Sequence, residues 1–321
     1  MKIYPKISII TPSYNQGHYI EQTILSVIGQ GYPNLEYIII DGGSTDNTVE
    51  IIKKYADKIT YWVSEPDKGQ SDALNKGLQK CTGEIFNWIN SDDYFEEGSF
   101  FKIAQYFTEN PTCEMLCGYC SYFDSETLQQ TFFHRLEIFD TLEETLIQQK
   151  INQPASFYKL SIIETLGGIN KDLHYCMDLD LWFRYLVQFG QENILLVEDT
   201  FAHFRLHDES KTVQLQVKFR EEEKLLWHHL LSTLKVKNEI ISFFAIDRDY
   251  SKNIAWKCDK ISKGRIVTKV CKKYFFDFYR VKNFKASKFA FWNQLKNGEL
   301  KFEKPYFGIF YNFYFKKKQH H

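Results

Sequence analysis

The first ninety residues repeat one pattern four times: a short apolar run, a polar or acidic break, and then a helical stretch. Ile7–Thr11 runs into Pro12, and Leu35–Ile40 ends at Asp41-Gly42-Gly43. Ile59–Val63 ends at Ser64-Glu65-Pro66-Asp67, and Ile85–Ile89 ends at Asn90-Ser91-Asp92-Asp93. Between these runs the spacing predicts a helix from about Gly17 to Gln30, with Ile20, Ile24, Val27 and Ile28 facing inward. A second helix, capped by Ser44 or Thr45, runs to about Tyr55, and a third from about Gln70 to Cys81. Strands alternating with helices imply a parallel sheet with right-handed crossovers. The carboxyl ends of such strands share one edge, where ligands bind. Thr11, Asp41, Asp67 and Asp92-Asp93 are thereby expected on one rim.

The fourth break is the most costly to build. Two adjacent carboxylates at the mouth of a buried strand repel one another and lower stability unless a cation compensates. A divalent metal carrying a diphosphate suits such oxygen ligands. A plain polar turn accounts for Asn, Ser and Asp equally well when they are taken alone; the three other strand ends favour a site. No glycine-rich dinucleotide or P-loop pattern follows the first strand. A nucleotide would therefore be held by side chains and a metal.

Four segments together carry a resemblance: Ile10–Gln16 (ITPSYNQ), Ile40–Thr48 (IDGGSTDNT), Glu65–Gly77 (EPDKGQSDALNKG) and Asn90–Asp93 (NSDD). In this order and spacing they resemble the family 2 glycosyltransferases over roughly residues 5–210. The resemblance implies an α/β fold of the GT-A type, a Rossmann-like and mostly parallel central sheet flanked by helices. It implies an inverting enzyme using a nucleotide-diphosphate sugar, most often a UDP-sugar, with Mn²⁺ or Mg²⁺. Thr11, Pro12 and Tyr14 would border the base and ribose, and Asp41 would hydrogen-bond the base. Asp92 would bind ribose or metal, and Asp93 would be the principal metal ligand, with Ser91 at the motif's first acidic position. Lys68 and Asp72 fall in the segment that lines the donor pocket. Leu74 stands where many relatives carry Arg, which shifts phosphate neutralisation towards the metal or Lys68.

Further along, the pattern predicts a helix over Phe95–Phe107, a strand over Met115–Phe123 and a helix over Leu142–Gln149. Asn152–Tyr158 resembles the family's strand facing the donor sugar. Tyr175–Arg184 opens an amphipathic helix with Asp178 and Asp180 in its first turn. Acids are stabilised at helix N-termini, which explains one of them; the other is free to act as a general base. By resemblance Met177-Asp178 replaces the family's Glu-Asp pair, which makes Asp178 the base and leaves Asp180 to pair locally. His207, in an Arg-x-His segment like the one closing the family's catalytic domain, would bind metal or diphosphate.

Composition adds a polarity that the net charge of −1 conceals. Residues 251–321 hold 18 Lys and Arg against 4 Asp and Glu, a net of +14, and residues 1–250 carry the compensating −15. Aromatics and lysines interleave there, as in Lys272–Phe276 and Tyr306–Lys318. Such a segment suits an anionic membrane surface, where each Lys contributes about 1 kcal/mol, and it also suits a helical cap packed on the rest. Nucleic acid is not expected, because no recognised binding motif accompanies the charge.

Seven cysteines without a regular framework point to a reducing compartment. Cys113, Cys117 and Cys120 spell the spacing of a cluster-binding loop. The run reads instead as a strand that sends Cys117 and Cys120 to opposite faces. With no signal peptide and no apolar run of membrane-spanning length, the expected location is cytoplasmic, peripheral at the inner face of the plasma membrane.

The sequence thus divides into 1–215, a nucleotide-sugar-binding catalytic unit, and 216–321, a helical, basic and aromatic extension. The expected acceptor is a hydroxyl of a saccharide or a polyprenyl-diphosphate-linked saccharide. Two alternatives stay open at this level: a catalytically silent sugar-nucleotide-binding module and a sugar nucleotidyltransferase.

Overall fold

A computed structural model describes residues 4–127, 129–207, 215–251 and 254–298 of the chain. β1 (Ile7–Ser13), β2 (Leu35–Asp41), β3 (Tyr61–Ser64) and β4 (Ile85–Trp88) pair in parallel in the order β3-β2-β1-β4. The crossovers contain α1 (Ile20–Ile28), α2 (Thr48–Lys54) and α3 (Gln70–Leu78). β1 and β4 are buried along their whole lengths, which is why they read as unbroken apolar runs rather than alternating ones. Register places Ser13 beside Asp41 and Asp41 beside Ser64, so three strands end level on one rim.

The rest of the sheet is mixed. β5 (Tyr94–Phe95), β6 (Met115–Asp124), β7 (Gln130–His134), β8 (Ser156–Lys159) and β9 (Ile194–Leu206) extend it to the order β3-β2-β1-β4-β8-β6-β9-β5, with β7 hung on β6. β8 runs antiparallel to both β4 and β6, whereas β6 and β9 are parallel to each other. α4 (Ser99–Glu109), α5 (Leu142–Gln148), α6 (Leu160–Thr165) and α7 (Met177–Phe189) complete this part.

Alternation along the strands splits the interior into two apolar layers. Ile10, Ile38, Trp88 and Cys117 lie in one, and Ile9, Ile39, Phe100 and Cys120 in the other. The cysteines of β6 are thus on opposite faces, as the strand pattern requires, and all seven cysteines of the chain are free thiols. No cluster loop forms there.

Residues 216–298 build α8 (Gln216–Thr233), α9 (Asn238–Ile241), α10 (Lys263–Lys273), α11 (Phe275–Arg280) and α12 (Phe284–Lys296). Their aromatic residues are largely inside: Trp227, Phe244, Phe275, Phe278 and Phe291 are buried in the apolar layer that also holds Phe183 and Leu186 of α7. Polar ties cross the same seam. Ser262 N–H donates to Glu143 Oε1 at 2.8 Å, Lys273 Nζ to the Ile147 carbonyl at 2.7 Å, and Lys269 pairs with Glu144 at 2.9 Å. Much of the aromatic density of the basic extension is therefore packing. The Tyr306–Lys318 stretch lies outside the described residues. No helix among them is long and apolar enough to cross a membrane.

Candidate active site

The rim begins with Asp41. Its carboxylate is fully buried and accepts from the N–H groups of Gly43 (3.1 Å) and Ser44 (2.9 Å) and from the hydroxyls of Ser44 (2.5 Å) and Ser64 (2.6 Å). Four donors thus satisfy the oxygens of this buried carboxylate. Thr11 lies below the rim, buried, its hydroxyl 3.1 Å from the Tyr37 phenol, which burial pushes well up. Pro12 is buried and Tyr14 stands on the surface, 59% exposed. Of the expected base and ribose contacts, Tyr14 alone is open; Thr11, Pro12 and Asp41 are buried.

The next strand end closes against this one. Asp67 Oδ1 accepts the Gly69 N–H at 2.7 Å, and a Cβ on Gly42 would fall 2.8 Å from Asp67 Oδ2. Gly69 takes φ +105 and runs close to the His174 ring, which brings the loop before α3 against the loop before α7. Lys68 is exposed; its N–H donates to Asp72 Oδ2 at 3.2 Å. Leu74 is buried in the core.

The acidic break after β4 separates its two aspartates. Asp93 N–H donates to the Asn90 carbonyl at 3.1 Å, forming a turn that points successive side chains in different directions. Asp93 goes inward: it is 1% exposed, and its Oδ1 accepts the Arg205 N–H at 2.9 Å. Burial, with the charge of Asp92 beside it, holds its carboxyl well above the usual range. Asp92 goes outward, 24% exposed, with Oδ2 3.0 Å from His207 Nε2. Of the two expected ligands, the turn thus presents Asp92 outward together with His207 and turns Asp93 inward, beneath them.

A cation does compensate this turn, and it is Arg205. Its Nε donates to the Asp92 carbonyl at 2.9 Å and its other arm to Gln22 Oε1, while the guanidinium sits over the rings of Tyr19 (4.9 Å) and Phe123 (4.7 Å). Thr23 of α1 adds a hydroxyl to the Asp93 carbonyl at 2.6 Å, and the His207 ring packs on Tyr19 at 4.9 Å. Arg205, Gln22 and Tyr19 were not singled out from sequence. The Arg-x-His spacing was the available signal for the first of them.

Among the described residues no cluster of three or more His, Cys, Asp or Glu side chains is placed to hold a metal. Asp92 and His207 nevertheless offer one hard oxygen and one imidazole nitrogen side by side. Mg²⁺-type sites use one or two protein donors and leave the remaining positions to substrate phosphates and water. The pair fits a divalent cation that arrives with a diphosphate.

Asp178 sits at the start of α7, its Oδ1 accepting the Leu179 N–H at 2.8 Å. It borders a small cavity with Trp88, Gln153 and Trp182, and Gln153 is held there by donating to the Trp88 carbonyl at 2.7 Å. Burial raises its carboxyl to about 6, against two backbone N–H bonds that lower it, and the charges of Glu222 and Asp180 add to the rise. Trp88 is the last residue of β4, so Asp178 borders the end of the strand whose following turn carries Asp92 and Asp93. Asp180, one turn position on, is wholly buried: it pairs with Arg184 at 2.7 Å and accepts from the Tyr250 hydroxyl. The two acids in the first turn have opposite fates, one lining the small cavity and one locked in the core.

Residues 8–164 match the profile of Glycosyl transferase family 2. The chain belongs to glycosyl transferase family 2. An uncharacterized glycosyltransferase of Rickettsia typhi is 28% identical to this glycosyltransferase over 258 residues, 78% of this chain and 79% of the relative. A putative teichuronic acid biosynthesis glycosyltransferase of Bacillus subtilis, TuaG, is 33% identical over 149 residues, 44% of this chain and 59% of TuaG. Residues 1–349 of S. aureus TarS, solved in complex with UDP-GlcNAc, share the fold with a TM-score of 0.60, covering 93% of each chain at 16% identity. The fold of this glycosyltransferase is thus GT-A, with a helical C-terminal region.

Proposed function

We propose that this glycosyltransferase is a metal-dependent inverting enzyme. It moves a sugar from a UDP-sugar to a hydroxyl of a saccharide or polyprenyl-diphosphate-linked saccharide in surface-polysaccharide synthesis. The observation that carries this reading is two unlike acids at the end of β4: Asp92 in the turn that follows it, and Asp178, which lines a small cavity with Trp88, its last residue. Asp92 is partnered by His207 at 3.0 Å, and the carboxyl of Asp178 is raised to about 6. TuaG, by its name, acts in teichuronic acid synthesis, and TarS holds UDP-GlcNAc; both support the substrate classes chosen.

In this reading Asp178 accepts the proton of the acceptor hydroxyl. A base raised towards neutral pH takes up a proton more readily than an ordinary carboxylate and is still ionised at pH 7. The oxygen so activated bonds to the anomeric carbon as the carbon–diphosphate bond breaks on the opposite face, and the configuration inverts. Asp92 and His207 would hold Mn²⁺ or Mg²⁺, which when bound supplies Lewis-acid neutralisation of the leaving diphosphate. Tyr14 offers a ring to the base, and Asp41 an acceptor once the Ser44 hydroxyl turns aside. Lys68 lends positive charge to the phosphates and Asp72 fixes the backbone of that loop. Thr11, Pro12 and Asp93 shape the rim from beneath.

The division of labour follows the chain. Residues 1–215 bind the donor and carry the base, and 216–321 contact acceptor or an anionic membrane at the cytoplasmic face. A panel of nucleotide sugars with Mn²⁺, read by heat shift and by nucleoside diphosphate release, tests the reading. One UDP-sugar should stabilise the protein and be turned over. Stabilisation without any release, over acceptor lipids and saccharides alike, argues for a silent binding module.

A further inference from the structure

Glu222 is an acid inside the protein that the mechanism above does not use. It belongs to α8, in the C-terminal region, and its side chain is 2% exposed. A buried carboxylate is strongly disfavoured unless it is saturated with hydrogen bonds, and this one is. It accepts the N–H groups of three successive residues: His174 (3.0 and 3.2 Å), Tyr175 (2.8 Å) and Cys176 (2.9 Å). Arg248 closes its outer side at 3.1 Å and donates its other arm to the Asp172 carbonyl.

These three N–H groups lead directly into α7, with Cys176 as the residue before its first turn. An anion at that point satisfies donors that the helix leaves open and complements the positive end of its dipole. The geometry also fixes where α7 begins, because the backbone of 174–176 has one carboxylate to which all three groups must point. Asp178 follows two residues later. On its other side the loop passes Gly69 and is tied by Ser71 Oγ, which donates to the Leu173 carbonyl at 2.5 Å, a bond in which Glu222 takes no part.

We infer that Glu222 is a positioning residue for the transfer reaction: through the 174–176 backbone it sets the place of Asp178, and so gives the C-terminal region a part in the chemistry. The inference rests on Asp178 being the base. Binding energy is not at stake, because Glu222 touches neither the rim nor the Asp92–His207 pair. A misplaced base lowers turnover by up to about a hundredfold while leaving donor affinity in place. Glu222 also bears a charge that Asp178 feels. The other ionisable groups facing Asp178 are Asp180 on its own helix, Cys176 before it, Tyr122 on β6 and Tyr158 on β8. Of these, Glu222 and Asp180 are the acids that oppose its ionisation.

The test uses the full chain, Mn²⁺ and UDP-GlcNAc as probe, following UDP release against pH for wild type, Glu222→Gln and Asp178→Asn. Glu222→Gln keeps the volume but removes the charge and puts an NH₂ donor in place of one of the two accepting oxygens. Its kcat should fall about tenfold or more while the KM for UDP-GlcNAc stays within about twofold, and its acidic limb should move to lower pH. Wild-type kcat and an unmoved limb in Glu222→Gln, with Asp178→Asn inactive, overturn the positioning role alone. Turnover retained by Asp178→Asn overturns the base assignment instead. Should Glu222→Gln fail to fold, Arg248→Gln frees the same carboxylate from its surface side. A lower kcat at unchanged KM in that variant supports the role, and unchanged kcat rejects it.

Discussion

His207 Nε2 lies 3.0 Å from Asp92 Oδ2, across 115 residues of chain, while the neighbouring Asp93 carboxylate is turned to the Arg205 N–H. A single turn after β4 therefore splits a pair of identical side chains into one outward and one inward carboxylate. The consequence is testable, because the two positions differ by one residue and by nothing in composition.

Asp92→Asn should weaken Mn²⁺-dependent binding of UDP by about tenfold or more, about 1.4 kcal/mol, and His207→Ala should do the same. Asp93→Asn should leave it within about twofold, since Asn Oδ1 can still accept from Arg205 N–H in a site that burial already makes unfavourable for charge. Titration calorimetry of UDP with and without Mn²⁺ measures both. A reversed order, with Asp93 the sensitive position, would return the ligand role to Asp93.

Asp178 links pH to activity and to stability with opposite signs. Its carboxyl is raised from 3.8 to about 6, and the ionised form is the active one, so turnover should fall as pH drops through about 6. For folding, a group whose pKa is higher folded than unfolded contributes stability below the unfolded value and loses it as pH rises through the folded one. Asp178→Asn should therefore be more stable than wild type at pH 8, by up to about 3 kcal/mol. The difference should vanish below about pH 4. Urea unfolding at the two pH values decides it.

The Asp180–Arg184 pair, 0% and 1% exposed, is a case where breaking differs from never having built. Arg184 also donates to the Leu166 and Gly168 carbonyls at 2.7 and 3.0 Å. Arg184→Ala leaves a buried carboxylate and two carbonyls without their partner and should cost about 3–5 kcal/mol, read as a lower urea midpoint. A shift below about 1 kcal/mol would mean that Asp180 finds compensation from Tyr250.

If the basic extension meets an anionic surface, the exposed lysines of 282–288 are where it is read. Each lysine contributes about 1 kcal/mol near such a surface. Lys282→Gln with Lys285→Gln should then weaken co-sedimentation with phosphatidylserine vesicles about thirtyfold, with full activity on UDP-GlcNAc. Equal sedimentation of wild type and the double variant removes the contact from this stretch.

What the sequence made legible follows from range. β1 to β4 and α1 to α3 were readable because each is set by local apolar spacing and by the break that ends it. The helix ends moved where a distant side chain intervened: α1 starts at Ile20, and Gly17 N–H is instead held by Asp46 Oδ2 at 2.9 Å. Which of Asp92 and Asp93 faces outward was not legible, because a turn's rotation is not written in composition. Glu222 gave no sequence signal at all. It reads as one charge among many on an amphipathic helix, and its meaning comes from three N–H groups nearly fifty residues earlier in the chain.

The most direct test of the account is UDP release from UDP-GlcNAc in Mn²⁺ by wild type and Asp178→Asn, with donor affinity measured on the same samples. The account predicts that the variant binds the donor as wild type does and releases UDP at least about a thousandfold more slowly. Wild-type release by Asp178→Asn, or loss of donor binding together with release, would contradict it.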